Sequence, residues 1–166
     1  VNTYGASKLL AEKLWLGGNT YGQPATRFTV VRYGNIRGSR GSLHERLARM
    51  SEAGEYAFVV RDPDATRFWL NHEEAVKLAL YALTDPFIQG GEVLVPKIES
   101  ARVGDLYPNH PVGAGLEKGE KLHERLLSDE ETRRTYDIGD HYMILPDPDP
   151  NANHLRVPAG FRYESG

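Results

Sequence analysis

Hydrophobic and polar positions alternate along this chain with helical and strand-like periods. Residues 7–16 carry leucine, alanine and tryptophan at helical spacing, and residues 72–83 (HEEAVKLALYAL) carry a broad apolar stripe behind Asn71, a residue type that favours helix starts. Residues 27–33 (RFTVVRY) and 92–95 (EVLV) are rich in β-branched side chains, which favour strands. These four stretches predict two helices and two strands.

Weaker patterns extend this alternation. They predict helices over 43–53, 120–127 and 129–135 and a strand over 56–60, and the pair Gly17-Gly18 is expected to end the first helix. The stretch 99–119 is rich in glycine and proline and predicts no regular element. Alternating helices and strands indicate an α/β fold, but the strands are too few for a complete doubly wound sheet. We therefore expect one end of such a sheet with a small appended lobe.

Composition narrows the classes of partner and compartment. The 20 basic and 23 acidic side chains give a net charge of −3 without a long block of one sign, so we expect no nucleic-acid partner and no membrane-surface patch. The absence of cysteine excludes disulfides and thiolate metal sites. No apolar run approaches the roughly 18 residues that cross a bilayer, and no leader pattern is present, so we expect a cytoplasmic protein. Because Val1 lies just before the first helical pattern, we expect the chain to be part of a longer protein.

Tyr4 and Lys8 are the first candidates for chemistry. Four residues apart on a helix, they lie on one face, one turn from each other. An ammonium held beside a phenol favours the phenolate, which allows a tyrosine to accept a proton near neutral pH. The same spacing is also met by an exposed tyrosine and a solvated lysine, so the spacing alone leaves both interpretations open.

The string around this pair, YGASKLLAE, closely resembles the catalytic helix of the extended short-chain dehydrogenase/reductase superfamily. Six further strings follow in an order that resembles one subfamily, the inverting UDP-N-acetylglucosamine 4,6-dehydratases that start pseudaminic acid synthesis, and their relatives in polysaccharide biosynthesis. They are RYGNIRGSRGS, TRFW, HEEAVKLAL, GGEVLVPKIES, GEKLHERLLS and VPAGFRY. The resemblance runs from Tyr4 to the C-terminus and corresponds to the C-terminal half of the subfamily. The glycine-rich GxGxxG turn that binds a dinucleotide is absent from this sequence.

The resemblance implies a fold and a division of the chain. We expect an α/β fold, the C-terminal part of a Rossmann-type parallel sheet with a small α+β substrate-binding lobe. Residues 1–100 would form the C-terminal part of an NAD(P)-binding Rossmann domain with interleaved substrate-binding segments. Residues 101–166 would form most of the substrate-binding lobe and the C-terminal tail.

The resemblance also implies roles for individual residues. Tyr4 would remove the proton of the sugar's C4 hydroxyl, and Lys8 would hold the ribose of NADP or NAD while acidifying the phenol; Ile36 would approach the cofactor through its backbone. The residues implied in binding UDP-N-acetylglucosamine or a similar UDP-sugar are Asn35, Arg40, Arg67, Lys118 and Glu120. Arginine suits the diphosphate, because its guanidinium forms paired, charge-assisted hydrogen bonds with phosphate oxygens.

Each assignment has a structural alternative. Asn35 could be a turn residue after a strand, Arg40 and Arg67 solvated charges, and Phe68 and Trp69 core packing. Two acids after His72 suit the first turn of a helix, and His123 and Glu124 have no second histidine at ligand spacing, so we expect no metal site. The chain departs from the subfamily where Glu117 replaces an expected arginine and where residues 105–115 form a shorter run.

Three functions fit these observations. The first is part of an NAD(P)-dependent 4,6-dehydratase that oxidises C4 of a UDP-sugar, eliminates water and returns the hydride; the isolated chain would be inactive, and the full-length protein would be a homo-oligomer. The second is a degenerate, non-catalytic binding or assembly module of the same fold. The third is a related UDP-sugar epimerase or reductase.

Overall fold

Helices and strands alternate in the computed structural model, which describes residues 3–21, 25–40, 42, 45, 49, 59–116 and 118–166. The helices are α1 (Thr3–Tyr21), α2 (His72–Thr84) and the single turn Val103–Leu106, and two 3-10 helices span Glu131–Arg134 and Pro150–Leu155. The strands are β1 (Val30–Val31), β2 (Asn35–Ile36), β3 (Thr66–Leu70), β4 (Val93–Pro96), β5 (Glu99–Arg102), β6 (Thr135–Asp137) and β7 (His141–Ile144).

The chain divides into two compact units, each assembled from separate stretches of sequence. Unit 1 consists of Val1–Tyr33, Val76–Lys97 and Arg125–Tyr163, and unit 2 of Gly34–Ala75, Ile98–Glu124 and Glu164–Gly166. The division expected at residue 100 stays a prediction.

The sheet of unit 1 has four strands in the order β1-β4-β7-β6. β1 and β4 are parallel, whereas β4, β7 and β6 are joined in antiparallel pairs. The central strand β4 is wholly buried, and Leu94 packs with Leu78 and Ile88. An apolar strand covered on both faces is typical of parallel sheets in α/β proteins. The EVLV pattern therefore predicted the centre of this sheet.

The sheet of unit 2 has three strands in the order β2-β3-β5. β2 and β3 are parallel, and β3 and β5 are antiparallel. Phe68 and Trp69 on β3 are 2% and 7% exposed, so their expected role in core packing is confirmed. Gly34 precedes β2 because an added Cβ would lie 2.5 Å from the Cβ of Phe68, which leaves room for glycine alone.

Helix α2 agrees with the pattern that predicted it. Asn71 accepts a hydrogen bond from the Glu74 amide at 2.9 Å, and the Glu74 carboxylate accepts one from the Asn71 amide at 2.7 Å. This reciprocal capping box satisfies two backbone donors at the helix start. The two acids after His72 belong to the first turn, where they also suit the helix dipole.

Helix α1 corrects the expectation that Gly17-Gly18 ends it, because the helix continues to Tyr21. The reason lies in Asn19, whose amide nitrogen donates to the carbonyl of Phe28 at 2.8 Å and whose amide oxygen accepts from the Phe28 backbone at 2.9 Å. These bonds tie the last turn of the helix to the chain leading into β1. They offset the low helix propensity of two glycines.

Four other sequence predictions differ from the structure. The strand over 27–33 is reduced to Val30–Val31, and the stretch 99–119 contains strand β5 and the turn Val103–Leu106. The prediction of a helix over 120–127 is wrong. The backbone of this segment forms hydrogen bonds with other segments instead, such as the one that the Thr66 amide donates to the Leu122 carbonyl at 2.9 Å. The helix over 129–135 is present as the shorter 3-10 turn Glu131–Arg134.

Some predictions lie outside the described residues. They are most of the helix over 43–53, most of the strand over 56–60, and Glu117. Within the described part of the chain, no helix combines the length and apolar character needed to span a bilayer.

Candidate functional site

Tyr4 and Lys8 lie on the first two turns of α1, in unit 1. The Lys8 ammonium is 5.5 Å from the centre of the Tyr4 ring, and the phenol is 71% exposed. The Ser7 hydroxyl, between them in sequence, donates to the Tyr4 carbonyl at 2.7 Å. The spacing that predicted one shared face is therefore realised, and the pair stands open to a ligand.

The chemistry of this pair suits a ligand that carries vicinal hydroxyls, such as a ribose. An exposed phenol and an ammonium on one helical face can both donate hydrogen bonds to vicinal hydroxyls, and the phenol can exchange a proton with a substrate hydroxyl. Ile36, the residue expected to meet the cofactor through its backbone, is half-buried at the end of β2, and its carbonyl accepts from the Ser39 amide at 3.2 Å.

Asn35 opens β2 in unit 2, and its amide nitrogen has two acceptors. It donates to the carbonyl of Phe68 at 3.2 Å and to a carboxylate oxygen of Glu124 at 3.4 Å. These bonds fix the orientation of the side chain beside β3. Asn35 is thus a held, half-buried amide in a strand.

Arg67 on β3 is held in the same way. Its guanidinium donates to the carbonyls of Thr66 and Leu122 at 2.7 and 3.2 Å, and its Nε lies 3.5 Å from Glu124. Only 20% of the side chain is exposed. Arg67 is therefore fixed by three oxygen acceptors rather than extended into solvent.

Glu124 contacts both Asn35 and Arg67. The sequence patterns did not identify it as a site residue. Burial raises the pKa of its carboxyl; the nearby Arg67 charge, the Phe68 amide, Asn35 and Lys121 oppose that rise only in part. A carboxylate with a raised pKa is a better proton acceptor than an ordinary one. Glu124 lies within the GEKLHERLLS string, which marked this segment, but nothing in the string shows that Glu124 contacts Asn35.

Three other predicted substrate residues lie exposed on loops of unit 2. They are Arg40, Lys118 and Glu120. Arg40 follows the tight turn at Gly38, whose φ of +73° favours glycine. The long cationic side chains of Arg40 and Lys118 can reach a phosphate without a change in the backbone.

His123 takes part in a polar network. Its Nδ1 lies 2.7 Å from the Thr66 hydroxyl, which lies 2.8 Å from the hydroxyl of the buried Ser165. Across residues 3–21, 25–40, 59–116, 118–166 and the three isolated described positions, no group of three His, Asp or Glu side chains could hold a metal ion.

Comparison with known proteins gives relatives that match almost the whole chain. UDP-N-acetylglucosamine 4,6-dehydratase (inverting) of Campylobacter jejuni is 37% identical over 99% of this chain and 54% of its own length. UDP-glucose 4-epimerase of Rickettsia conorii is 31% identical over 89% of this chain and 45% of its own length. The chain therefore spans about half the length of the curated relatives it matches.

A solved structure and a family profile complete the comparison. The X-ray structure of Pen from Bacillus thuringiensis superposes with a TM-score of 0.80 at 31% identity, over 99% of this chain and 52% of that one, which confirms the α/β fold class. The profile of the family described as "Polysaccharide biosynthesis protein" matches residues 1–146. The expected resemblance is confirmed, and this chain belongs to the polysaccharide biosynthesis protein family.

Proposed function

We propose that this chain is part of an NAD(P)-dependent enzyme that converts UDP-N-acetylglucosamine, or a similar UDP-sugar, into a UDP-4-keto-6-deoxy sugar. The observation that carries the proposal is the Tyr4–Lys8 pair, with its ammonium 5.5 Å from the ring on an open helical face, in a chain of this family. The relative from Campylobacter jejuni supports the choice of substrate and reaction. We call the longer protein the parent protein and number it as this chain.

Tyr4 and Lys8 supply the acid–base chemistry of this proposal. The phenolate accepts the proton of the C4 hydroxyl as C4 is oxidised, and the ammonium favours that phenolate. Both side chains also hold the ribose of the cofactor, and the backbone of Ile36 is a further proposed contact to the cofactor. The nicotinamide supplies hydride acceptance at C4 and hydride return at C6, chemistry that side chains cannot provide.

The atoms balance without a net oxidant. The sugar loses hydroxide from C6 and a proton from C5, which together make one water. C6 then receives the hydride that left C4, and C5 receives a proton in place of the one that left the C4 hydroxyl, so the sugar ends with a ketone at C4 and a methyl group at C6. The product is therefore lighter than the substrate by one water. Proton transfer across C5 and C6 needs a second acid–base pair, which we place in the parent protein outside this chain.

Unit 2 supplies residues for the sugar nucleotide. Asn35 and Arg67 are held in fixed orientations by Glu124, so little conformational entropy is lost when they meet a ligand. Arg40, Lys118 and Glu120 on the exposed loops contribute the remaining contacts to UDP. We further expect the parent protein to be a cytoplasmic homo-oligomer.

A UDP-sugar 4-epimerase is the second candidate. The relative from Rickettsia conorii, at 31% identity over 89% of this chain, favours it, and the same tyrosine and lysine would serve that reaction. A non-catalytic module is the third candidate, supported by Glu117 at a position where the subfamily has arginine. The epimerase yields an isomer of unchanged mass, and the module yields no product.

Replacing Tyr4 tests the proposed role of the phenol. In the parent protein, Tyr4→Phe should lower turnover of UDP-N-acetylglucosamine by about 10²-fold or more, because the general base is removed while the ring remains. Binding of the UDP-sugar, measured by calorimetry, should stay within about twofold, since no UDP contact is lost. Tyr21→Phe, at a 90% exposed tyrosine of the same helix, is the matched control. Full turnover in Tyr4→Phe, or equal loss of turnover and binding, contradicts the role.

A further inference from the structure

Helix α1, which carries Tyr4 and Lys8, is tied to the rest of unit 1 by an unusual ion-pair cluster. Its buried residue is a carboxylate, Glu12, only 9% exposed. Both oxygens of Glu12 accept hydrogen bonds from Arg32, from Nη2 at 2.7 Å and from Nε at 3.0 Å. This pair of parallel bonds, here called the fork, fixes the orientation of the Glu12 carboxylate relative to the Arg32 guanidinium as well as the distance between them.

Arg32 holds a second carboxylate at the same time. Its Nη1 and Nη2 donate to the two oxygens of Glu131 at 3.0 and 2.8 Å, and Nη1 also donates to the Leu126 carbonyl at 2.7 Å. Glu131 in turn accepts from the amide and hydroxyl of Ser128 at 2.9 Å each. One guanidinium therefore connects α1 to the turn that precedes β6.

The charges in this cluster depend on one another. Burial alone would lower the pKa of Arg32, but its bonds to Glu131 and Glu12 outweigh that effect and raise it. Burial alone would raise the pKa of Glu131, but Arg32 and Ser128 lower it to about 2. Arg32 and Glu131 are thus ionised at neutral pH. Neutralising one member of the cluster leaves the others buried with fewer partners.

Glu12 lies on the same stripe of the helix as the proposed catalytic pair. Tyr4, Lys8 and Glu12 are spaced four residues apart, so each lies one turn from the next on one side of α1. The helix is also held further along, where the Trp15 and Phe28 rings lie 5.3 Å apart. A change at Glu12 therefore acts on the part of the helix that carries Lys8.

We infer that Glu12 and Arg32 are positioning residues whose ion pair sets where the Tyr4–Lys8 pair stands relative to the sheet of unit 1. This inference rests on the proposed function, because it takes Tyr4 and Lys8 as the acid–base pair. Loss of the fork lets the first turns of α1 shift and rotate about the contact at Trp15. A displacement of about 1 Å at a reacting group can cost about 10²-fold in rate.

Glu12→Gln in the parent protein tests the inference, because it keeps the shape of the side chain and removes its charge. The expected result is a fall in kcat of about 10-fold to 10²-fold, with KM for UDP-N-acetylglucosamine within about threefold. Glu12→Asp, which keeps the charge, should recover part of the lost kcat. Arg32→Lys should resemble Glu12→Gln, because a lysine cannot form the fork.

Glu92→Gln is the matched control. Glu92 is a second buried carboxylate of unit 1, 4% exposed, and it accepts from the Gln89 and Gly90 amides at 2.8 Å. Its replacement should lower Tm without lowering kcat at a temperature where the protein stays folded. If Glu12→Gln and Glu92→Gln reduce kcat equally for equal losses in Tm, Glu12 has only a structural role and the inference is wrong.

Hydrogen exchange separates this inference from the proposed function. Amides of residues 3–11 should exchange several-fold faster in Glu12→Gln than in Glu92→Gln. Unchanged exchange there overturns the inference even if Tyr4→Phe is inactive, in which case the proposed function stands. Faster exchange in a parent protein that turns over no UDP-sugar supports the positioning of the helix and rejects the function.

Discussion

Glu131 gives the chain a pH-dependent stability that can be measured directly. Its pKa is lowered from an ordinary 4.5 to about 2 in the folded protein, against the effect of burial, by the bonds and charge of Arg32 and by Ser128. A carboxyl whose pKa is lower in the folded state than in the unfolded state stabilises the fold when it is ionised. That contribution is complete above pH 4.5 and is lost as the pH falls towards 2.

Urea unfolding of wild type and Glu131→Gln measures this contribution. The free energy of unfolding should differ between them by about 3 kcal/mol near neutral pH, and the difference should shrink as the pH falls below about 4. Asp137→Asn, at an exposed carboxylate that pairs with Lys97, is the control and should change stability far less. A difference between wild type and Glu131→Gln that does not depend on pH contradicts the lowered pKa.

Glu124 provides a second prediction about single residues. Because it holds Asn35 and Arg67, Glu124→Ala in the parent protein should weaken binding of UDP-N-acetylglucosamine by about tenfold, and Asn35→Ala should do the same. Calorimetry at one pH and salt concentration is the measurement. Glu99→Ala, at an exposed carboxylate of unit 2, should bind as wild type does. Unchanged affinity in both Glu124→Ala and Asn35→Ala removes these residues from the proposed site.

Local spacing explains why part of the site could be predicted. The Tyr4–Lys8 contact follows from helical geometry within a single turn, so a four-residue interval was enough to predict it. The Asn35–Glu124 bond joins residues 89 positions apart, and no local pattern encodes it. The Glu12–Arg32–Glu131 cluster is equally remote in sequence, with Arg32 and Glu131 separated by 99 positions.

Among the secondary-structure elements, α1 allows a direct test of its length, because the helix continues through the two glycines that were predicted to end it. An added Cβ at Gly17 meets nothing within 4 Å, whereas one at Gly18 would lie 2.9 Å from two ring carbons of Phe28. Gly17→Ala should therefore raise the free energy of unfolding by about 0.5–1 kcal/mol, since alanine loses less backbone entropy in a helix.

Gly18→Ala is the matched comparison for this element. It should lose that gain, because the Phe28 ring must shift to admit the new methyl group. Chemical unfolding of the two variants beside wild type is the measurement. Destabilisation by Gly17→Ala would show that the helix stops at the glycine pair, as the sequence alone predicted.

Elements whose signals are local were predicted well, and those that depend on distant partners were not. Asn71 and Glu74, which lie within four residues of each other, mark the start of α2, and the EVLV pattern predicts the buried strand β4. Residues 120–127 have helical composition, yet their backbone groups bond to β3 and to the C-terminal segment, as in the bond from Ser165 to the Glu124 carbonyl. Tertiary hydrogen bonds of this kind override local propensity.

The chain as a whole has an α/β architecture and belongs to the polysaccharide biosynthesis protein family. It spans about half the length of its curated relatives. Each of its two units carries one group of proposed functional residues. The sequence predicted the fold class, because alternating helices and strands admit few arrangements. It did not predict the interleaved units, because their boundaries follow contacts between distant stretches of chain.

The mass of the product formed from UDP-N-acetylglucosamine tests the central claim most directly. The parent protein, incubated with NAD or NADP and the UDP-sugar, should yield a product lighter than the substrate by one water, and Tyr4→Phe should form it about 10²-fold more slowly or not at all. The measurement is mass spectrometry of the nucleotide sugars. A product of unchanged mass with inverted stereochemistry at C4 would establish the epimerase instead. No product with either cofactor would contradict the proposed enzyme.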